Sequence, residues 1–238
     1  MKYGKKWCQC LYKTHADPPN YQYRKAAGNH QQPRNGVKHM AIFLMRHAES
    51  LANQEEMIVS HPNNGLHRFG LTREGRRQVR KALANAPFAE VTRIFSSNFL
   101  RAAETAQLIG EHLGMSVSLD SRLGERNFGD FELTPTKNYA QVWEQDSLSP
   151  YHTAWSTESV WSVARRMVNF FKDLAMNEPQ GDVLVVSHGD PIQILRAIHR
   201  DDSPADHRMG ISVEPADYIR LCDQSPVFQD RVVTMMTT

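Results

Sequence analysis

The sequence predicts an α/β fold: a three-layer sandwich with a mostly parallel central sheet, helices on both faces, and loop and helix insertions capping a candidate active site. Three observations carry that expectation. Short apolar runs such as Ile42-Phe43-Leu44-Met45 and Val183-Leu184-Val185-Val186 have the length and the β-branched content of strands buried on both faces. Between the runs lie longer stretches with apolar residues at helical spacing. Two of the runs empty directly into a histidine, Arg46-His47 and Ser187-His188-Gly189. In open α/β sheets the carboxyl ends of strands are where ligands bind.

The elements follow in order. The predicted strands are 41–46, 92–96, 115–119, 182–187, 209–213 and 217–222. The last two are short and close together, so one of them is expected to pair antiparallel at an edge. Thr72 can cap a helix over about 73–86, with Glu74 in its first turn and Pro87 closing it. A second helix is expected from Asn98 to His112, with Gly114 as its stop and Ala102, Ala106 and Ile109 on its packing face. A long helix over 158–176 turns Val160, Val163, Ala164, Met167, Phe170, Phe171 and Leu174 inward. Another follows His188 and ends near Arg200. Residues 54–70 and 128–157 fit no periodicity and read as binding loops or lids.

The domain expectation is one catalytic body over 40–222, a basic leader over 1–39 and a C-terminal tail over 223–238. The chain holds 28 Lys/Arg and 26 Asp/Glu, a net charge of +2. Eight of the basic residues and a single acid, Asp17, fall in 1–39, so residues 40–238 carry a net charge of −5. That balance offers no broad basic surface for nucleic acid. The leader lacks apolar periodicity and is expected to be disordered. It has no apolar core of a secretory signal, and Met40 reads as the natural start. No apolar stretch approaches a membrane span. Cys8, Cys10 and Cys222 form no disulfide framework, which suits a reducing, cytoplasmic setting. The sequence does not address oligomeric state.

Four segments gather the residues suited to chemistry: Leu44 to Ser50, with Asn53 following; Ser96 to Ala106; Leu123 to Gly129; and Val186 to Asp190. Arg46 and Arg101 are fixed cations with forked donors that match phosphate oxygens. Arg101 and His188 fall in or beside the first turns of helices, where backbone amides and the dipole favour an anion. A neutral imidazole can attack phosphorus without prior deprotonation, which makes His47 the candidate nucleophile. Its second ring nitrogen would then donate to a backbone carbonyl. His188 is the candidate donor to the transferring group, and Asn53 and Gly189 are candidate substrate contacts. Glu125 is the candidate proton donor and acceptor, with Asp130 and Glu132 as nearby alternatives. His61, His67 and His152 read as solvated loop residues, although His67 with Arg68 could help read a substrate. No metal-ligand spacing occurs, so neither metal nor cofactor is expected.

Taken together, Arg-His-Ala-Glu at 46–49, Ser-Ser-x-x-x-Arg-Ala-x-x-Thr-Ala at 96–106, Gly-Glu-Arg-x-x-Gly at 124–129 and Ser-His-Gly at 187–189 resemble the histidine phosphatase superfamily, which includes the cofactor-dependent phosphoglycerate mutases. Leu71-Thr72-x-x-Gly75 is a minor further match. The resemblance spans about 40–222. It implies a phosphorylated small-molecule substrate and a phosphohistidine on His47.

Within that resemblance the chain departs from the mutase pattern. Leu51-Ala52 replaces the tryptophan before the asparagine, Arg68 stands where an aspartate often precedes Leu-Thr, and Asp190-Pro191 follows His188-Gly189. The long basic, proline-rich insert of mutases is missing. A metal-independent phosphomonoesterase is therefore the expected activity. Mutase-type transfer, phosphohistidine-protein phosphatase activity and a non-catalytic phospho-ligand module stand as alternatives. A chain beginning at Met40 is expected to keep full activity, measured as kcat/KM on p-nitrophenyl phosphate beside the full chain.

Overall fold

The structure is a computed structural model that describes residues 41–177, 181–210 and 212–222. The leader over 1–39 and the tail over 223–238 lie outside the described residues. Five strands form one sheet in the order β3-β2-β4-β1-β5: β1 Ala41–Arg46, β2 Val91–Ser96, β3 Val117–Leu119, β4 Asp182–Ser187 and β5 Tyr218–Cys222. All pairings are parallel except β1 with β5. Seven α-helices accompany them among the described residues: α1 Leu51–Gln54, α2 Pro62–Gly65, α3 Arg73–Asn85, α4 Leu100–Leu113, α5 Tyr139–Leu148, α6 Val160–Met176 and α7 Gly189–His199.

Side-chain alternation along β1 and β4 divides the core in two. Ile42, Leu44, Val183 and Val185 face α6 and α7 together with Met167, Phe171, Ile192 and Leu195. Phe43, Met45, Leu184 and Val186 face α3 and α4 together with Val79, Ala102, Ala106 and Ile109. The two-sided burial explains why these strands read as continuous apolar runs. A smaller cluster of Ile58, Phe128 and Val142 lies under the loops at the carboxyl edge, with Tyr139 and Phe131 against it.

The chain leaves β1 toward α3 on one face and leaves β4 toward α7 on the other. These neighbouring strands therefore diverge at their carboxyl ends and open a crevice there. Register places Arg46 opposite Ser187 and Ser96 opposite Val186. The His47 amide donates to Ser187 O at 2.9 Å, and the Ser97 amide to Val186 O at 2.9 Å. Three strand ends thus deliver their polar residues to one crevice.

Local sequence sets the helix ends. Thr72 Oγ1 accepts from the Gly75 amide at 2.9 Å and donates to Glu49 Oε1 at 2.6 Å, so one side chain caps α3 and holds the loop after His47. Gly114 ends α4 in the left-handed region at φ 69°. Helix α4 begins at Leu100 rather than Asn98, because Ser97 Oγ binds the Phe99 amide and keeps that turn extended.

Two expectations need correction. The predicted strand at 209–213 is absent at its described residues, which form turn and coil; the Met209 amide bonds back to Asp206 O at 2.8 Å instead of joining the sheet. The stretch 128–157 is not wholly irregular, since it contains the ten-residue α5. Helix α5 buries only Val142 and Asp146, a face too narrow to stand out as apolar periodicity.

Gly75 marks a close approach. A Cβ there would overlap the Glu49 carbonyl oxygen, two residues from His47. Gly75→Ala should lower stability by about 1–3 kcal/mol through forced separation of α3 from that loop, read as a lower urea midpoint at unchanged slope.

Candidate active site

The structure brings Arg46, His47, Arg101, Glu125 and His188 into one buried cluster at the carboxyl ends of β1, β2 and β4. The rings of His47 and His188 stand edge to face, with centroids 5.1 Å apart. His47 Nδ1 lies 2.7 Å from Ala48 O, so that nitrogen carries the proton and donates it. Nε2 is left with its lone pair, and Arg101 Nε donates to it at 3.0 Å. The hydrogen bonds therefore select the tautomer expected from the sequence.

His188 Nε2 lies 2.8 Å from Ser97 Oγ. Ser97 Oγ already accepts from the Phe99 amide, so its own proton is available for Nε2, which places the His188 proton on Nδ1. Nδ1 is buried without a protein partner. Arg46 Nε and Arg101 Nη1 share that condition. Buried donors of this kind are rare and costly unless something else is meant to accept from them. The remaining donors fix the cations: Arg46 Nη1 binds Val213 O at 2.9 Å, and Arg101 Nη2 binds Val59 O at 3.0 Å. Phe99 closes one wall, edge to face with His188 at 5.2 Å and beneath the Arg101 guanidinium at 5.2 Å.

Glu125 Oε2 is 3.6 Å from Arg101 Nη2 and 3.8 Å from His188 Nδ1, while Oε1 accepts from the Arg126 amide at 2.9 Å. The alternatives stand elsewhere. Asp130 is exposed. Glu132 is consumed by Ser60 N, Ser60 Oγ, His61 N and Asn64 Nδ2, and so staples the loop after β1 to the insertion that carries α5. Gly189 lies against the Arg46 guanidinium, where a Cβ would stand 3.7 Å from Cζ. Asn53 does not join the cluster directly. Its Oδ1 closes a capping box with Ser50 at the start of α1, and its backbone amide donates to Ser50 Oγ at 3.4 Å.

His152, expected in solvent, is instead mostly buried and bonds Asp146 Oδ1 at 2.7 Å; the folding of α5 over the body covers it. Sequence reasoning gave no role to Ser97, the Val59 carbonyl or Tyr139, whose buried phenol lies close enough to Glu125 and Arg101 to feel both charges. Ser97 belongs to a recognised segment and could have been found as the polar residue directly after β2. The other two depend on long-range placement.

Burial pushes the His47 imidazole well below its usual range, and Arg101 and Arg46 add to the shift. Burial does the same to His188, reinforced by Arg101 and His47. Burial raises the Glu125 carboxyl to about 7, Arg101 pulls it back, and Asp190 pushes it up again. Both rings are thus neutral near pH 7, and Glu125 is poised between acid and base.

The Glu125 shift has a stability signature. Below its ordinary value of 4.5 both folded and unfolded chains hold the proton. Between 4.5 and about 7 only the folded chain holds it, so native stability falls as pH rises through that window. Gln carries no such charge. Glu125→Gln should therefore match the parent at pH 4.5 and exceed it at pH 8, by about 3 kcal/mol at most, in paired urea titrations.

Comparison with known proteins agrees with this geometry. Residues 42–222 match the histidine phosphatase superfamily (branch 1). Probable phosphoglycerate mutase GpmB of Escherichia coli O1:K1 / APEC is 29% identical over 159 residues, covering 63% of this chain and 70% of that protein. Among solved structures, the mycobacterial glucosyl-3-phosphoglycerate phosphatase in complex with VO3 superposes with a TM-score of 0.66 at 24% identity, over 76% of this chain and 92% of the other. The alpha-ribazole phosphatase of Shigella flexneri superposes with a TM-score of 0.63 at 21% identity, over 76% of this chain and 89% of the other. With the family match running from β1 to β5 and the four motifs converging on one crevice, the chain belongs to the histidine phosphatase superfamily.

Proposed function

We propose that this protein is a metal-independent phosphomonoesterase that hydrolyses a phosphorylated small molecule through a phosphohistidine on His47. The observation that carries the reading is the His47 tautomer. Nδ1 is held by Ala48 O, and the Nε2 lone pair faces the side on which Arg101, His188 and Glu125 meet.

A bound phosphoryl group would take the donors that now lack a protein partner: Arg46 Nε, Arg101 Nη1 and His188 Nδ1. It would also take over Arg101 Nε, freeing Nε2 to attack phosphorus. As the N–P bond forms, the bond from phosphorus to the ester oxygen breaks. The proton on Glu125 passes to that oxygen, and the alcohol leaves. In the second half, water attacks phosphorus and gives its proton to the Glu125 carboxylate. The N–P bond breaks, inorganic phosphate departs, and both His47 and Glu125 return to their starting forms. The cations stabilise charge on the transferring group throughout, so the chain's own residues complete the cycle.

Hydrolysis is favoured over mutase-type transfer on sequence grounds. The chain lacks the mutase-like tryptophan near Asn53 and carries Asp190-Pro191 after the second histidine motif. The phosphatase names of the structural neighbours point the same way. The mutase name of the sequence relative keeps a phosphoglycerate assay in any substrate panel.

The expected result with p-nitrophenyl phosphate in excess chelator is undiminished turnover. A brief acid-free quench with a 32P-labelled substrate should trap a base-stable, acid-labile phosphoenzyme. His47→Ala should abolish the label and reduce turnover by at least about 1,000-fold while keeping the parent's circular dichroism. Label retained in His47→Ala would place the nucleophile elsewhere.

A further inference from the structure

Arg126 follows Glu125 directly, and its side chain is wholly buried. It forms a bidentate pair with Asp146 on α5, Nη1 to Oδ2 at 2.6 Å and Nη2 to Oδ1 at 2.8 Å. Nε donates to Glu158 O at 2.8 Å. Asp146 is also wholly buried and accepts in addition from His152. Asp190, two residues after His188, lies 3.5 Å from Arg126 Nη1 and accepts from Trp143 Nε1 of α5 at 3.1 Å. His207 Nε2 stands 3.9 Å from Asp146 and 3.8 Å from Asp190, and Arg208 closes the far side of Asp190 at 3.5 Å. The same cap helix therefore grips the chain just beyond Glu125 and just beyond His188. Beneath it, Arg166 of α6 binds the carbonyls of Arg122, Gly124 and Glu125 at 2.7, 2.8 and 3.1 Å.

A buried ion pair is weak evidence of added stability, because desolvation offsets most of its attraction. A positional role explains its retention better. We infer that Arg126 and Asp146 are positioning residues for the proton donor: the pair ties the cap helix to Glu125, fixes its backbone, and neutralises a buried guanidinium one residue away. The inference rests on the reading of Glu125 as that donor.

Removal of the Asp146 charge takes the bidentate partner from Arg126 and leaves it the longer contact to Asp190 at 3.5 Å, one residue from Glu125. The groups already facing Glu125 are Arg101 of α4, Arg46 of β1, His188, Asp190 of α7 and Tyr139 of α5. A cation with less of its charge offset favours the carboxylate and so depletes the protonated donor at neutral pH. The loss falls on esters whose leaving group needs a proton and largely spares those whose leaving group does not.

The experiment compares glycerol phosphate with p-nitrophenyl phosphate across pH for the parent, Asp146→Asn and Glu125→Gln in the full chain. Asp146→Asn should lose about tenfold or more in kcat/KM on glycerol phosphate and less than about twofold on p-nitrophenyl phosphate, with the alkaline limb of the glycerol phosphate profile moved to lower pH. Glu125→Gln should show the same selectivity more strongly. Equal losses on both substrates in Asp146→Asn, beside a selective Glu125→Gln, overturn the positioning role alone. Equal losses in Glu125→Gln overturn the donor assignment, and the inference with it. If Asp146→Asn does not fold, the Arg126→Met/Asp146→Leu double variant, which removes both charges together, takes its place. That variant carries no cation at 126, so a selective loss with the alkaline limb unmoved supports the positioning role, and an equal loss or no loss overturns it.

Discussion

The site depends on a charge imbalance held away from water. Two guanidiniums converge with two imidazoles and a single carboxyl, all largely buried. No arrangement of these groups alone is neutral with every donor satisfied. The protein resolves part of the imbalance by keeping both rings uncharged and Glu125 near its titration point. The remainder is an excess of positive charge and unpartnered donors, which is the complement of a phosphate dianion. The neutrality of His47 follows from the same constraint, because burial and the two neighbouring cations keep its lone pair free of a proton.

Such a cluster requires a stiff frame. Strand β4 is buried along its whole length and is paired on both edges, so Ser187 and His188 are placed by backbone registry. The His47 loop is pinned from the other side by Thr72 and by the close approach of Gly75. Glu125 has no strand to hold it. Its position comes from polar contacts made by Arg126 and Arg166, and those run to α5 and α6. Glu125 is therefore held by side chains where His47 is held by the sheet.

This division explains what the sequence disclosed. Strands β1, β2 and β4 were legible because two-sided burial leaves an unbroken apolar signature, and the polar residues at their ends were legible by position. Thr72 and Gly114 announced helix boundaries through local hydrogen-bond chemistry. The segment at 209–213 misled because Val213 packs into the α6–α7 layer as coil while Met209 is exposed, so neither joins the sheet. The role of His152 was invisible, since its burial comes from a helix whose inward face consists largely of one aspartate. Asn53 was matched as a motif residue, yet its carbonyl serves the cap of α1. Contacts between distant segments, such as Arg126 with Asp146, have no local period to reveal them.

The order of strands has a consequence for synthesis. Strand β4 is the fourth to be made, yet it lies between the first and second. Until it inserts, β1 and β2 have no shared edge, and a nascent chain ending before Asp182 leaves both edges of β1 and one edge of β2 unpaired, with the apolar faces of α3, α4 and α6 uncovered. The ribosome must therefore release nearly the whole body before any crevice exists. Closure of this late, long-range pairing is slow relative to helix formation, so the unfinished polypeptide is the state most exposed to aggregation and to chaperone capture.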